Sequence, residues 1–325
     1  SPMETKSIVC AILLVSLLAA CEQDNQSATI ESTDPAPADT TVSTLDRSEN
    51  PSRLDIYADV VLNPALGHMS DNQKQMIVLL IEAGKITDDI FWLQVWGDKD
   101  KFLNEIADPK IKRFATYNYG PWDRLAADQS FIESHEPRPP GARFYPQDMS
   151  KTEFESWQQD GKDGLYALVQ RDANGALMLL PYSKAFESQI NEIADLLVQA
   201  SALAEDEEFA NYLKMRAVAL KTDDYQASDM AWMSMKNNTI ELVIGPIETY
   251  QDALYGYRAA FETFVLLKDQ VWSERLARFA KFMPELQRGL PVDAAYKAEV
   301  TGSDADLNAY DLIYCAGDCN SGAKT

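Results

Sequence analysis

The stretch IGPIETYQDALYGYRAAFETFVLLKD, residues 244–269, holds two carboxylates and a phenol in and between two expected strands. Glu248 and Tyr250 stand two apart, so in an extended segment both side chains face the same side. A carboxylate there can bind an amine, and a phenol beside it can stabilise an oxyanion. Glu262 lies in the second expected strand. An exposed strand face with ordinary polar residues reads the same way.

Metal chemistry finds less support. A zinc peptidase helix carries two ligands one turn apart, as in His-x-x-x-His, with a Glu nearby. The chain has only two histidines, His68 and His135, and neither begins such a motif. Both read as surface or loop histidines. Cys315 and Cys319 sit close to the end without a second ligand pair. A small disulfide loop and two free thiols are both open for them. No Ser-His-Asp set can be argued, and no Gly-rich phosphate loop ends in Lys-Ser/Thr.

The elements that must position these residues belong to a chain of 325 residues with a formal net charge of −22. Lys and Arg form no long block. Phosphate binding needs clustered cations, so nucleic acid is excluded as a partner and a polybasic membrane surface is disfavoured. An acidic field attracts cationic ligands, such as the free amine of a peptide.

Residues 1–20 read as a signal peptide. The apolar run 8–20 is too short to span a bilayer comfortably and polar residues follow at once. Its end, Leu18-Ala19-Ala20-Cys21, resembles the lipobox of bacterial lipoproteins, which implies lipidation of Cys21. Residues 21–50 then form a tether rich in Asp, Glu, Ser, Thr and Pro, unable to bury a core. This points to the bacterial cell envelope, with the chain held to a membrane through a lipid anchor. Glu22 after Cys21 favours the outer membrane, facing the periplasm.

Beyond residue 50 the pattern is α+β, without regular βαβ alternation. Residues 54–62 read as extended. Ser70 and Gln73 form a capping-box pattern ahead of a helix running toward Trp92. The Pro-, Gly- and aromatic-rich residues 109–150 suggest long ordered loops. Residues 165–172 and 176–182 flank Asn174-Gly175, a hairpin signal. Helices are expected from Ser183, as a cap, through Leu197, over 206–220 and over 225–236. Strands follow at 239–245 and 259–269, then a helix over 272–282 before Pro284, and an extended or irregular tail from Val292.

The Ile-Glu-Thr-Tyr-x-Asp stretch and FETFVLLKD resemble the signature strands of the dipeptidyl-peptidase III family of zinc metallopeptidases. NYGPWDRL, ARFYPQDM and the tail DLNAYDLIYCAGDCNSGAKT are similar to further family segments, in family order, so the resemblance runs from about residue 54 to the end. It implies a two-lobed α+β peptidase fold, with a β-core in one lobe and a helical zinc lobe. It also implies removal of dipeptides from the N-termini of short peptides, which add as a strand to the β-core. By resemblance, Glu248 is the anchor for the substrate amine, Glu262 a second acid beside it, and Tyr250 the transition-state tyrosine. Asn308 matches one of two asparagines that hold the N-terminus; the second falls near Ala305 and Asp306. The family's zinc helix would lie beyond Thr325, so residues 51–325 read as the truncated N-terminal part of such a domain. Zinc is expected for the complete protein, no ligand is visible here, and the chain alone is expected not to hydrolyse peptides. Elements that would pack on the remaining part should expose apolar surface. The alternative is a non-catalytic envelope lipoprotein that binds peptides.

Overall fold

A capping box starts the first long helix. Ser70 Oγ accepts from the Gln73 N–H at 3.1 Å, and Gln73 Oε1 accepts from the Ser70 N–H at 3.0 Å. The computed structural model describes residues 53–133, 135–298 and 307–323. The expected signal peptide, Cys21, the tether and the positions Ala305 and Asp306 lie outside the described residues.

Helix α1 (Asp71–Val95) buries Met76, Ile77, Leu80, Ala83, Gly84, Thr87, Ile90 and Phe91, a helical-period face turned to the core. α2 (Lys99–Glu105) and α3 (Pro109–Asn118) follow, capped by Asp98 and Asp108. A short ladder joins β1 (Trp122–Asp123) to β2 (Gln129–Ser130), and α4 (Lys151–Ser156) precedes the hairpin of β3 (Ala167–Arg171) and β4 (Leu177–Pro181). Asp172 Oδ1 accepts from the N–H groups of Asn174 and Ala176, and Gly175 takes φ +83° at the turn.

Four helices come next: α5 (Tyr182–Ala185), α6 (Glu187–Leu203), α7 (Glu207–Thr222) and α8 (Gln226–Ser234). They lead into β5 (Ile240–Glu248) and β6 (Ala260–Asp269). After α9 (Gln270–Ala280), α10 (Met283–Gly289) and α11 (Ala294–Lys297), β7 (Ala309–Gly317) completes an antiparallel sheet with β6 in the centre. Helices α1 and α6 pack together, and α1 also lies on β6 and β7. The approach is so close at Gly84 that a Cβ there would meet the Tyr314 ring at 2.8 Å. On β5, Tyr212 of α7 donates to the Leu242 carbonyl at 2.9 Å. One apolar cluster runs through these layers.

The mixed helix-and-sheet class is as the sequence predicts, but several local readings change. Residues 56–66 form no strand, and Val60 and Val61 are exposed, because no neighbouring strand pairs with them. Within 109–150, α3 is a regular helix; Asp108 caps it by accepting from Lys110 and Ile111 N–H, with Pro109 at its start. Ser183 lies inside α5 and caps nothing; its own N–H donates to the Asp223 carboxylate at 3.1 Å. Pro284 does not end a helix but sits in the first turn of α10, where its missing N–H costs nothing. The tail from Val292 contains α11 and β7. Trp272, Phe279, Phe282 and Leu286, on and between α9 and α10, are exposed.

Candidate functional site

Glu262 sits on the central strand between two glycines, paired with Gly245 of β5 and Gly317 of β7. It is 5% exposed. Glu248 ends β5 opposite Ala260, two residues before Glu262, after a register shift between Pro246 and Glu248. The two carboxylates therefore lie at the same end of the β5–β6 ladder, as diagonal neighbours.

The chain leaves the strand at Glu248, so the two-residue alternation does not carry on to Tyr250 as the sequence suggested. Instead residues 249–259 form a loop built around the buried Asp252 carboxylate. Oδ1 accepts from Leu254 and Tyr255 N–H, and Oδ2 from Tyr257 and Arg258 N–H and from the Tyr145 phenol. Arg258, fully buried, donates its guanidinium to the carbonyls of Gly164 and Lys162. Gln251, between Tyr250 and Asp252, is also buried. Its Oε1 accepts from Arg124 at 2.6 Å and Arg138 at 2.7 Å, and its Nε2 donates to Asp318 at 2.5 Å. Tyr250, between the end of β5 and these two tethered residues, is 78% exposed. Burial, and next the adjacent Arg138 guanidinium, pull the Arg124 guanidinium down to about 10, so it stays protonated at neutral pH.

The turn after β7 closes the same end. Gly317 takes φ +71°, and its N–H donates to Asp88 Oδ1 at 3.2 Å. Asp88 also accepts from Tyr119 and, at 3.3 Å, from Lys99. Burial, and next the Asp88 carboxylate, hold the Tyr119 phenol well above its usual range, so it stays a donor. Cys315 and Cys319 are joined by a disulfide across this turn.

Of the four residues the sequence proposed around the amine, the structure brings Glu248, Tyr250 and Glu262 to one end of the sheet. Asn308 lies apart from them. It precedes Ala309, which pairs with Asp269, whereas Gly317 at the other end of β7 pairs with Glu262. Antiparallel pairing thus sets Asn308 about 27 Å along the strand from Glu262. The sequence did not single out Asp88, Gln251 or Asp318, which the fold gathers here. The Gly317-Asp318 pair after an apolar run was the available signal, a turn directly beyond a strand.

Among the described residues no group of three His, Cys, Asp or Glu is arranged to hold a metal ion. The two cysteines are bonded to each other, and His135 packs against the Trp96 and Phe102 rings with centroids 5.5 and 5.9 Å away. These donors do not fit zinc. Two cavities of about 230 and 450 Å³ lie elsewhere, one at the opposite end of β5 beside Asn238 and one beside Arg143 and Arg171.

Residues 166–318, which include this antiparallel sheet and its acidic end, match the model of Peptidase family M49. The structure is similar to that of dipeptidyl-peptidase III from Caldithrix abyssi, with TM-score 0.78 and 33% identity, covering 84% of this chain and 54% of that one. It is similar to dipeptidyl-peptidase III from Corallococcus sp. strain EGB, with TM-score 0.75 and 30% identity, covering 83% of this chain and 52% of that one. The protein called Nudix hydrolase 3 in Arabidopsis thaliana is 27% identical over 328 residues, covering 82% of this chain and 42% of that protein. Over most of its described length the chain thus shares the fold of dipeptidyl-peptidase III, and its residues 166–318 carry the match to Peptidase family M49. It spans about half the length of these relatives.

Proposed function

We propose that the acidic end of the sheet holds the free amine of a short peptide, as part of a peptidase that releases dipeptides from peptide N-termini. The observation that carries this reading is the placement of Glu248 and Glu262 at one end of the β5–β6 ladder, with Tyr250 exposed between the end of β5 and the tethered Gln251 and Asp252. An ammonium between two carboxylates makes charge-assisted bonds, which mark where the peptide begins. Glu248 is the anchor, Glu262 the second acid, and the Tyr250 phenol faces the carbonyl to be cleaved, as a donor to the developing oxyanion. Asn308 takes no part in this reading, being at the far end of β7. The family is zinc-dependent in general; the donors described here do not fit the ion, so the part read from this chain is capture and orientation of the peptide.

Calorimetry with tri- to pentapeptides tests it. Free N-termini should bind and N-acetylated ones should not. Glu248→Gln should weaken binding roughly 10- to 100-fold, the value of a charge-assisted bond, and Tyr250→Phe should change it little. Equal binding of acetylated peptides overturns the reading. A dipeptidyl-arylamide assay with and without added zinc separates an enzyme from the alternative, a non-catalytic peptide-binding lipoprotein of the envelope. The lipid anchor at Cys21, in the outer membrane and facing the periplasm, belongs to the same proposal and rests on the sequence of residues 8–21. Labelling of cells with a palmitate analogue, lost in Cys21→Ser, tests that part.

A further inference from the structure

The turn after β7 joins a disulfide, which the proposed peptide site does not use, to a buried hydrogen-bonded path that reaches the Tyr250 loop. Cys315 pairs with Phe264 within the sheet, and Cys319 lies just beyond the strand. Ala316, Gly317 and Asp318 between them are buried, while the two cysteines are each partly exposed. The disulfide therefore closes a small loop whose interior residues are packed and whose sulfur-bearing residues reach the surface. From that loop Asp318 accepts from Gln251 Nε2 at 2.5 Å, and Gln251 is the immediate neighbour of Tyr250. Gln251 Oε1 is held in turn by Arg124 and Arg138.

We propose that Cys315–Cys319 is a site of thiol–disulfide exchange with a dithiol, and that its reduction loosens the Tyr250 loop through the Asp318–Gln251 bond. In the exchange a thiolate of the dithiol attacks one cysteine sulfur; a mixed disulfide forms, and the other cysteine leaves as a thiolate and takes a proton. The second thiol of the dithiol then displaces the first cysteine. The protein gains two electrons and two protons as two thiols, and the dithiol leaves as a disulfide. Without the covalent closure the turn regains conformational freedom. Asp318 then keeps its place through its own non-covalent contacts, among them the bond from Gln251. The loosening follows from these contacts by themselves; its consequence, weaker capture of a peptide amine, rests on the function proposed above.

The full chain is incubated with dithiothreitol under native conditions, trapped with iodoacetamide and mapped by mass spectrometry, and amide hydrogen exchange is followed in parallel. Cys315 and Cys319 should become labelled while circular dichroism stays unchanged. Exchange over residues 249–259 should rise about tenfold on reduction, with the 167–181 hairpin unaffected. Asp318→Ala, with its disulfide intact, should show the faster loop exchange already in the oxidised state and no further response to dithiol. The Cys315→Ser/Cys319→Ser variant should match the reduced protein; if it does not fold, the reduced wild type supplies the same comparison. Unchanged exchange over 249–259 after complete reduction overturns the proposal, as does absence of a disulfide in the oxidised protein. A loop that loosens in a protein indifferent to peptide amines overturns the proposed function and leaves the exchange site standing.

Discussion

The Tyr145 phenol donates to Asp252 at 2.7 Å across 107 residues of sequence, completing a carboxylate that already accepts four backbone N–H groups. The contact ties the loop beyond β5 to the segment ahead of α4. Burial first, and then Asp252 itself, raise the Tyr145 phenol far above its usual range, so it remains a donor at any physiological pH. Tyr145→Phe removes one charge-assisted bond and should cost about 1.5–3 kcal/mol. Asp252→Ala strands several buried donors together and should cost about 3–5 kcal/mol. Urea unfolding of the two variants and their double mutant measures the coupling; strictly additive losses would show that the pair does not act as a unit.

Gly317 is fixed by space as well as by backbone angle. It takes φ +71°, and a Cβ there would run into the Phe261 carbonyl. Gly317→Ala should therefore lose more than the roughly 1 kcal/mol of backbone strain alone, and the damage should fall at the β6–β7 end beside Glu262. Hydrogen exchange locates it: amides near 261–263 and 315–318 should exchange faster while α6 keeps its protection. A uniform change across the protein would count against a local clash.

The sequence made β5 and β6 legible because their apolar runs fit a buried strand, and made α1 and α7 legible because a polar cap stands before a helical-period face. It put Tyr250 on the same extended face as Glu248, because the turn there is imposed by a side chain, Asp252, that collects N–H groups from further along the chain. Asn308 illustrates another limit. Which end of a sheet a residue occupies depends on where its strand begins and which way it runs, and neither is encoded in the few residues around it. The long-range partners Gln251, Asp318, Arg124 and Arg138 meet only once three separate segments have docked.

Gln94 of α1 stands in for a strand at the start of β6. Its Oε1 accepts from the Phe261 N–H at 2.8 Å, and its Nε2 donates to the Ala259 carbonyl at 3.3 Å, which also accepts from Tyr182 at 2.9 Å. The residue is fully buried. Gln94→Leu keeps the bulk but leaves the Phe261 N–H without its partner, which should cost about 1–3 kcal/mol. Because Ala259 retains Tyr182, the larger effect should appear on the Phe261 amide, read as its hydrogen-exchange rate. Loss of stability with that amide still protected would point to packing as the cause.

Glu241 gives a pH dependence whose sign can be worked out. It is buried at the start of β5, where Oε2 accepts from Asn238 at 3.0 Å and Tyr310 at 3.1 Å. Burial, the largest influence, raises its carboxyl above the ordinary 4.5, while these hydrogen bonds act against the rise. The folded protein therefore binds this proton more tightly than the unfolded chain. The resulting stability is complete below pH 4.5 and is lost as pH rises through the raised folded value. Glu241→Gln removes the titration and keeps an acceptor for Asn238 and Tyr310. Urea unfolding at several pH values between about 4 and 8 should show a less steep fall in stability with rising pH for the variant than for the wild type. The many other carboxylates titrate in both proteins, so only the difference between the two curves carries the Glu241 contribution, and superimposable curves would remove it.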